Sequence, residues 1–387
     1  MRVGLFTDTF PPDVNGVVTV LGAIQTELVR RGHEVHCFAP AHPADPEEVA
    51  GLHHFPSVPL FCYPGMRLAM PRRAHVLDLV RSLDVIHSHT LGPVGLFALW
   101  SADRFHVPHV HTYHTHYTEY RHYLPRPFRP TRGTVIRLAS AFCNRCDAII
   151  APSLPVMREL EGYGIRRPIH PLPFGLDEEE FSHEVEWDVR AEYGLPVEDL
   201  LLCAGRLGPE KNLGFLLRVF KRLLARRESV RLFIVGAGRG RSNLEKQAAA
   251  LNIDGQVIFT GCLARRKLID LYKQALFVFP STTETQGMVL VEAMMAGSPV
   301  VAVGRMGVLD IVRPGETGIL VEEDEEEFAR ACLRLLDDKV ERERMGRAAT
   351  IWARRHSAQA STERLLQIYI AAGACESVTT ASSPQPV

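Results

Sequence analysis

A chain of 387 residues is longer than one ordinary hydrophobic core supports, so two domains are expected. Hydrophobic residues make up 46% of the chain and charged residues 23%, the balance of a soluble globular protein. The chain contains no apolar run near the ~20 residues that span a bilayer, and its start, MRVGLFTDTF, lacks the features of a signal peptide, so a cytoplasmic location is expected.

The formal net charge of −1 conceals an asymmetry between the two halves. Residues 1–175 carry 17 Arg, no Lys and 14 Asp or Glu, which is +3, whereas the remainder carries 27 basic and 31 acidic residues, which is −4. This distribution is not typical of a nucleic-acid-binding protein, so no nucleic-acid partner is expected. A mildly basic half suits a surface that touches anionic lipid.

Short apolar runs alternate with amphipathic helices in the first half. RVGLFTD predicts a strand, GVVTVLGAIQTELVRRGHE predicts a helix ending near Gly32, and further strands are predicted from VHCFAP, VIHSH, HVHTYH and AIIAPS. The alternation indicates βαβ units and a parallel sheet. The turn-rich stretch PLPFGLDEEEFSHEVEW then predicts a linker between domains.

A second series follows the linker. Strands are predicted from LLLCAGRL, VRLFIVGAG, VIFTG, LFVFPS, PVVAV and GILV, and helices from NLGFLLRVFKRLLARR and at 242–251, 264–275, 287–296 and 325–337. The predicted fold is α/β, with doubly wound Rossmann-like domains at 1–175 and 176–356 facing each other across a cleft. A last helix, 357–373, is expected to pack back on the first domain, and 374–387 to be disordered.

Two segments in the second half suit an anionic ligand. LCAGRLGPEKN places Arg206 and Lys211 beside glycines just past a strand, where cations and close backbone can receive a diphosphate, although a solvated turn is the alternative. In ETQGMVLVEAMMAG, a helix beginning near Gly287 would direct its N-terminal amides at the same place.

The same segment carries Glu284 and Glu292, eight residues apart. Eight residues of helix span ~12 Å, whereas the paired carboxylates of glycosidases stand ~5–9.5 Å apart. The two glutamates are therefore expected to hold two ends of one ligand and not to act as an acid–base pair.

Several separated motifs, in order, resemble the family 4 retaining glycosyltransferases, which have the GT-B fold. Glu284 and Glu292 match the E-x7-E signature of that family, and AGRLGPEKN, MMAGSPVVA, FTDTFPPDVNGVV and PFGLDEEEF match its other segments. The resemblance covers residues 1 to about 320. The chain departs from the family pattern at Asn15-Gly16, where many relatives have two glycines. The diacylglycerol relatives also have one glycine there, so the departure is interpreted as a feature of the subfamily.

The resemblance implies roles for individual residues. Arg206 and Lys211 would bind the diphosphate of a nucleotide sugar, Glu292 the ribose hydroxyls, and Glu284 the transferred hexose. The remaining contacts to the donor would come from the backbone amides of Thr285, Gln286 and Gly287, from the close approach of Gly16, and from the active-site His114. His114, Glu284, Arg206 and Lys211 would form the catalytic group, without a metal or other cofactor, and the α configuration would be retained.

Within the family, HTYHTHYTEYRHYL (111–124) looks most like the diacylglycerol glucosyltransferases. The similarity implies transfer of glucose from UDP-glucose to diacylglycerol, by an enzyme peripherally associated with the inner face of the membrane. The residues expected to meet the acceptor or membrane are Tyr113, Tyr117, Tyr120, Arg126 and Arg129. The alternatives are GDP-mannose as donor, phosphatidylinositol or a soluble acceptor, and a sugar-nucleotide epimerase or binder.

Two other patterns resemble ligand sites but are expected to be structural. Histidines 87, 89, 106, 109, 111, 114, 116 and 122 suggest a metal site, but no Cys or carboxylate joins them at ligand spacing, so no metal is expected. VGAGRGRSN has the spacing GxGxG and lacks the acidic residue of a dinucleotide site, so a glycine turn near the donor is expected instead.

Overall fold

The computed structural model describes residues 1–13, 15–43, 50–60, 67–71, 76–124, 129–195 and 199–374. Within these ranges the chain forms two parallel sheets with helices against them, so the predicted doubly wound α/β class is confirmed. The tail expected to be disordered lies outside the described residues, except for Ala374, which is buried.

The first sheet is parallel and has the spatial order β3-β2-β1-β6-β7-β8-β9. A short antiparallel hairpin, β4-β5, forms a separate two-stranded sheet that packs against β2. The strands in chain order are β1 (Arg2–Phe6), β2 (Glu34–Pro40), β3 (Leu52–Phe55), β4 (Ser57–Pro59), β5 (Arg67–Ala69), β6 (Val85–Ser88), β7 (His109–Thr112), β8 (Ala148–Ala151) and β9 (Ile169–Pro171).

Helices flank this sheet as the βαβ pattern requires. Asn15 begins the first of them, because its side-chain oxygen accepts hydrogen bonds from the amides of Val17 at 3.0 Å and Val18 at 3.1 Å. The helices are α1 (Gly16–Arg30), α2 (Leu77–Arg81), α3 (Pro93–Phe105), α4 (Arg132–Cys143) and α5 (Leu154–Gly162).

The second sheet is also parallel, with the order β12-β11-β10-β13-β14-β15. Its strands are β10 (Leu200–Ala204), β11 (Arg231–Val235), β12 (Val257–Gly261), β13 (Leu276–Phe279), β14 (Val300–Val303) and β15 (Gly318–Val321). Its central strands are buried along their length, which explains why their sequences are continuous apolar runs.

The helices of the second half begin after the linker. They are α6 (Val189–Tyr193), α7 (Leu213–Leu224), α8 (Arg241–Ala250), α9 (Arg265–Gln274), α10 (Met288–Met295), α11 (Val308–Ile311), α12 (Glu325–Asp337), α13 (Lys339–Arg355) and α14 (Ala358–Ala371). The linker is not a solvated tether, since Leu172, Phe174, Leu176 and Phe181 are all buried in it.

The strand orders place a switch point in each sheet. The chain leaves β1 in one direction and returns to the other side at β6, and it does the same at β10 and β13. Loops after the carboxyl ends of these strands diverge and leave room for a ligand. The loops after β1, β6, β10 and β13 are therefore where a site is expected.

The last helix, α14, packs against α1 of the first half. Its Tyr369 hydroxyl lies 2.7 Å from Nδ1 of His87 in β6, and Arg31 donates from Nη2 to the carbonyl of Gln359 at 3.1 Å. None of the helices in the described part of the chain is long and apolar enough to cross a membrane.

Candidate functional site

The cations predicted to bind a diphosphate lie at the switch point of the second sheet. Arg206 follows β10, and Lys211 ends a 3-10 turn, Pro209–Lys211. The Lys211 ammonium forms an ion pair with the Glu284 carboxylate, which belongs to the loop after β13. Together with Gly205 and Phe279, these cations line a pocket between the two strand ends.

Arg206 connects the two domains. Its Nε lies 3.2 Å from Glu210 Oε1, and its guanidinium carbon lies 5.5 Å from the ring centre of Tyr120 in the first domain. That distance is typical of a cation–π contact. The structure therefore brings a predicted donor residue and a predicted acceptor residue together across the cleft.

Glu292 lies in α10 and is almost fully buried, with both carboxylate oxygens engaged. Arg265 of α9 donates to Oε1 at 2.7 Å, and the Tyr272 hydroxyl donates to Oε2 at 2.9 Å. Arg265 also pairs with Glu180 of the linker at 3.0 Å. These contacts hold the carboxylate in one orientation, and its role toward ribose stays a prediction.

Arg265 and Tyr272 were not predicted from the sequence. Both belong to a predicted helix, but the pairing of α9 with α10 depends on tertiary packing, and Arg265 and Glu292 are 27 residues apart. Burial, followed by the neighbouring Glu292 charge, raises the pKa of the Tyr272 hydroxyl well above its usual value, so the hydroxyl stays a donor.

Glu284 and Glu292 are each bound to a different cation, Lys211 and Arg265. In a catalytic pair of carboxylates, one group protonates a leaving oxygen while the other faces it across the bond. Two carboxylates that are separately neutralised are suited to holding a ligand and not to proton exchange with each other.

The segment between the two glutamates joins the domains. The Thr285 hydroxyl donates to the carbonyl of His114 at 2.9 Å, and its own carbonyl accepts from the Ser153 hydroxyl at 2.6 Å. The Gln286 amide bonds to both backbone groups of Phe174, donating to its oxygen at 2.5 Å and accepting from its N–H at 3.2 Å. These side chains hold the second domain to the first beside the cleft.

Two glycines allow close approach at the same place. Gly287, immediately before α10, has φ of 89°, in the left-handed region that glycine adopts without strain. Gly16, at the start of α1, lies opposite α10, since a Cβ there would be 3.6 Å from Cγ of Met288. Both loops predicted to surround the diphosphate are therefore adjacent.

His114 comes from the first domain, in the loop after β7. Its Nε2 lies 2.9 Å from Nδ1 of His89, which follows β6. Burial lowers the pKa of His114 to about 3, so the imidazole is neutral at physiological pH. A neutral imidazole can offer a hydrogen bond to a sugar hydroxyl but cannot supply a positive charge.

Three other histidines of the predicted cluster, His87, His109 and His111, are buried in the first domain. Ser88 lies 2.8 Å from nitrogens of both His109 and His111, and His87 lies 2.7 Å from the hydroxyl of Thr112. In the part of the chain that the structure describes, no group of three His, Cys, Asp or Glu side chains could hold a metal ion.

The structure contradicts the prediction that Tyr113 meets a membrane. Tyr113 is only 1% exposed and packs in the core of the first domain, so it cannot meet a membrane. It follows β7 directly, and its side chain turns inward toward α4 and α5. Tyr117 is half-buried, with its hydroxyl accepting from the amide of Leu91 at 3.1 Å. Arg129 is exposed, and Arg126 lies outside the described residues.

Comparisons with known families agree with this geometry. The model described as Glycosyltransferase Family 4 matches residues 14–180. The model described as Glycosyl transferases group 1 matches residues 185–352. The two matches leave only a short gap in the linker.

Three relatives differ in what their names say they act on. An alpha-monoglucosyldiacylglycerol synthase of Streptococcus pneumoniae is 32% identical, over 87% of this chain and 78% of its own length. A sulfoquinovosyl transferase of Arabidopsis thaliana is 30% identical over 94% and 72%. A GDP-mannose-dependent alpha-mannosyltransferase of Mycobacterium tuberculosis is 29% identical over 83% and 84%.

Solved structures share the fold. HepE of Anabaena, in complex with UDP-glucose, superimposes with a TM-score of 0.78 at 21% identity, over 96% of this chain and all of that one. A sucrose-phosphate synthase of Thermosynechococcus elongatus gives 0.74 at 21% identity, over 96% and 98%. The architecture is thus common to proteins that bind different substrates.

Proposed function

Because the chain belongs to the family 4 glycosyltransferases with the GT-B fold, we propose that it transfers glucose from UDP-glucose to a hydroxyl of diacylglycerol. The observation that carries the proposal is that Arg206 and Lys211 line one pocket, that Lys211 pairs there with Glu284, and that the adjacent Thr285 bonds to the backbone of His114 in the first domain. Cations, a helix N-terminus and a neutral imidazole suit a diphosphate and its attached sugar.

The proposed reaction breaks the bond between the sugar and the diphosphate. Negative charge grows on the leaving diphosphate, and Arg206 and Lys211 would stabilise it where it develops. In the family, the leaving phosphate oxygen takes the proton of the attacking hydroxyl on the same face of the sugar. Retention of the α configuration follows from membership of the family.

UDP-glucose is proposed as donor from two likenesses. HepE, which has the same fold, binds UDP-glucose, and the relative at 32% identity is named for glucosylation of diacylglycerol. The mannosyltransferase among the relatives makes GDP-mannose the second candidate donor. The two donors differ in base and in sugar, so contacts to the base and to the sugar hydroxyls decide between them.

Association with a membrane surface is proposed from the first domain. The hairpin β4-β5 and the residue after it expose three apolar side chains, Val58, Leu68 and Met70, and Arg129 is exposed further along the chain. Apolar and basic groups together suit the interface of an anionic bilayer, where each cation contributes about 1 kcal/mol.

The test is a product assay. Each reaction contains purified protein, one nucleotide sugar (UDP-glucose, UDP-galactose or GDP-mannose) and one acceptor, which is dioleoylglycerol or phosphatidylinositol in anionic vesicles, or a soluble acceptor. The lipid extract and the aqueous phase are both analysed by mass spectrometry. We expect a monohexosyl product from UDP-glucose. A hexosyl product with GDP-mannose alone, or on phosphatidylinositol or a soluble acceptor alone, would contradict the stated substrates. A binder or an epimerase would give no glycoside.

A matched pair of variants connects the product to the site. Lys211→Ala should lower kcat/KM by at least ~100-fold, since it removes charge where the leaving group develops. Lys221→Ala, exposed on α7 of the same domain, should leave the rate unchanged. Near-normal turnover of Lys211→Ala would remove this lysine from the mechanism.

A further inference from the structure

His89 lies directly behind His114. It follows β6, is 1% exposed, and its ring centre lies 5.2 Å from that of His114, with Nδ1 2.9 Å from His114 Nε2. The hydrogen bond joins two imidazoles, so one must donate and the other accept. Which one donates decides what His114 presents to the cleft.

The second ring nitrogen of His89 indicates which imidazole donates the hydrogen bond. Nε2 of His89 is buried and has no hydrogen-bond partner among the described residues. An orphaned buried N–H is rarer in proteins than an unsatisfied acceptor. The proton of His89 is therefore assigned to Nδ1, which donates to Nε2 of His114.

His114 must then carry its own proton on Nδ1. It is only half-buried, and no described residue bonds to its Nδ1. Burial lowers the pKa of both histidines, that of His114 to about 3, so neither carries a second proton near neutral pH. The free donor of the pair is thus the Nδ1–H of His114.

We propose that His89 is a positioning residue, which fixes the tautomer of His114 so that its Nδ1–H donates to a hydroxyl oxygen of the donor sugar. The contact with the sugar rests on the proposed function, whereas the tautomer does not. The plane of His89 is held from behind by His87, whose ring centre lies 4.0 Å away and which is itself bonded to Tyr369 and Thr112.

The tautomer is tested on the wild-type protein without substrate. In nitrogen-15 spectra of histidine-labelled protein, we expect His114 Nδ1 to resonate as a protonated nitrogen and Nε2 as an unprotonated one, with a His114→Asn sample for assignment. The opposite pattern would overturn the proposal. Because no substrate is present, a failure of the proposed function would leave this result intact and would show only as missing glycolipid.

Variants test the consequence for the reaction. His89→Phe keeps an aromatic ring but cannot donate, so kcat/KM for the nucleotide sugar should fall by about tenfold, the loss of one hydrogen bond of ~1.4 kcal/mol. His89→Asn, which offers an N–H near the position of Nδ1, should recover much of that loss.

UDP provides the control for folding, because it lacks the sugar that His114 would contact. Its Kd should be the same in wild type, His89→Phe and His89→Asn. An equal loss in both variants, or a parallel loss of UDP affinity, would show that His89 only fills space in the core.

Discussion

Arg265 is the charged partner of Glu292, a carboxylate that is almost fully buried. A buried carboxylate without a partner is costly and tends to take up a proton, which would turn one of its two accepting oxygens into a donor. Arg265 and Tyr272 each take one lone pair of the carboxylate, which leaves other lone pairs for the ribose hydroxyls that Glu292 is proposed to bind. A residue absent from the predicted site thus maintains one that was predicted.

Substitution of Arg265 tests this at the level of one residue. Arg265→Met should weaken UDP binding by about tenfold or more, since a hydrogen bond to a charged group contributes ~1.5–3 kcal/mol. Arg266→Met is the matched control, because Arg266 is the next residue of α9 and pairs with the exposed Glu186. Titration calorimetry with UDP measures both, and equal affinities would show that Arg265 does not orient Glu292.

The helix α10 begins with an unusual backbone conformation at Gly287. A helix normally begins after a residue with extended backbone, but here Gly287 precedes α10 in the left-handed conformation, with φ of 89°. This turn allows Glu284 and Glu292 to lie on either side of it, one with Lys211 and one with Arg265.

Replacement of that glycine should cost stability. In Gly287→Ala the added Cβ meets Leu290 Cδ1 at 2.7 Å and the backbone is strained, so the free energy of unfolding should fall by about 1–2 kcal/mol. Gly22→Ala is the control, since Gly22 is inside α1 with no atom within 4 Å of its Cβ, and it should gain ~0.5–1 kcal/mol. Urea denaturation gives both values, and an unchanged Gly287→Ala would contradict the strain.

At the scale of the whole molecule, buried histidines make stability depend on pH. Burial lowers the pKa of His109 and His114 to about 3, and of His87, His89 and His111 well below the usual 6.5. The unfolded chain therefore binds protons that the folded chain does not, and stability is lost as pH falls below 6.5. Burial raises the pKa of three aspartates, Asp8, Asp13 and Asp310, and these groups oppose the trend.

The loss should be measurable well above pH 3. At pH 5.5, each buried imidazole should lower the free energy of unfolding by about 1 kcal/mol relative to pH 7.5. Urea denaturation followed by circular dichroism at the two pH values tests this. A midpoint that stays constant between them would mean that the histidines are not held neutral by the fold.

The sequence predicted the parts of the molecule that depend on local pattern and general topology. Buried parallel strands are apolar runs, and ligands bind beyond their carboxyl ends, so the sequence alone suffices to group Arg206, Lys211 and Glu284 at one site. Their roles as a diphosphate and sugar site stay predictions. The helix α13 (Lys339–Arg355) was not predicted, although its buried Met345, Ala349 and Trp352 recur at helical spacing.

The parts that were missed depend on which elements become neighbours. The bond of Arg265 to Glu292 requires α9 to pack beside α10, and Tyr113 turns inward because α4 and α5 cover it. Of the histidines, the sequence singled out only His114 for a role in the site, and a metal at the rest was considered and not expected. Their actual partners, Ser88, Thr112 and Tyr369, come from three separate segments.

The return of α14 to the first domain has a consequence for any attempt to divide the molecule. An isolated fragment of residues 1–175 would leave α1 uncovered and the buried His87 without its tyrosine partner. Two-piece complementation should therefore require residues 357–374 on one of the two pieces. A circular permutant that joins the end of α14 to β1 would supply them without a separate peptide.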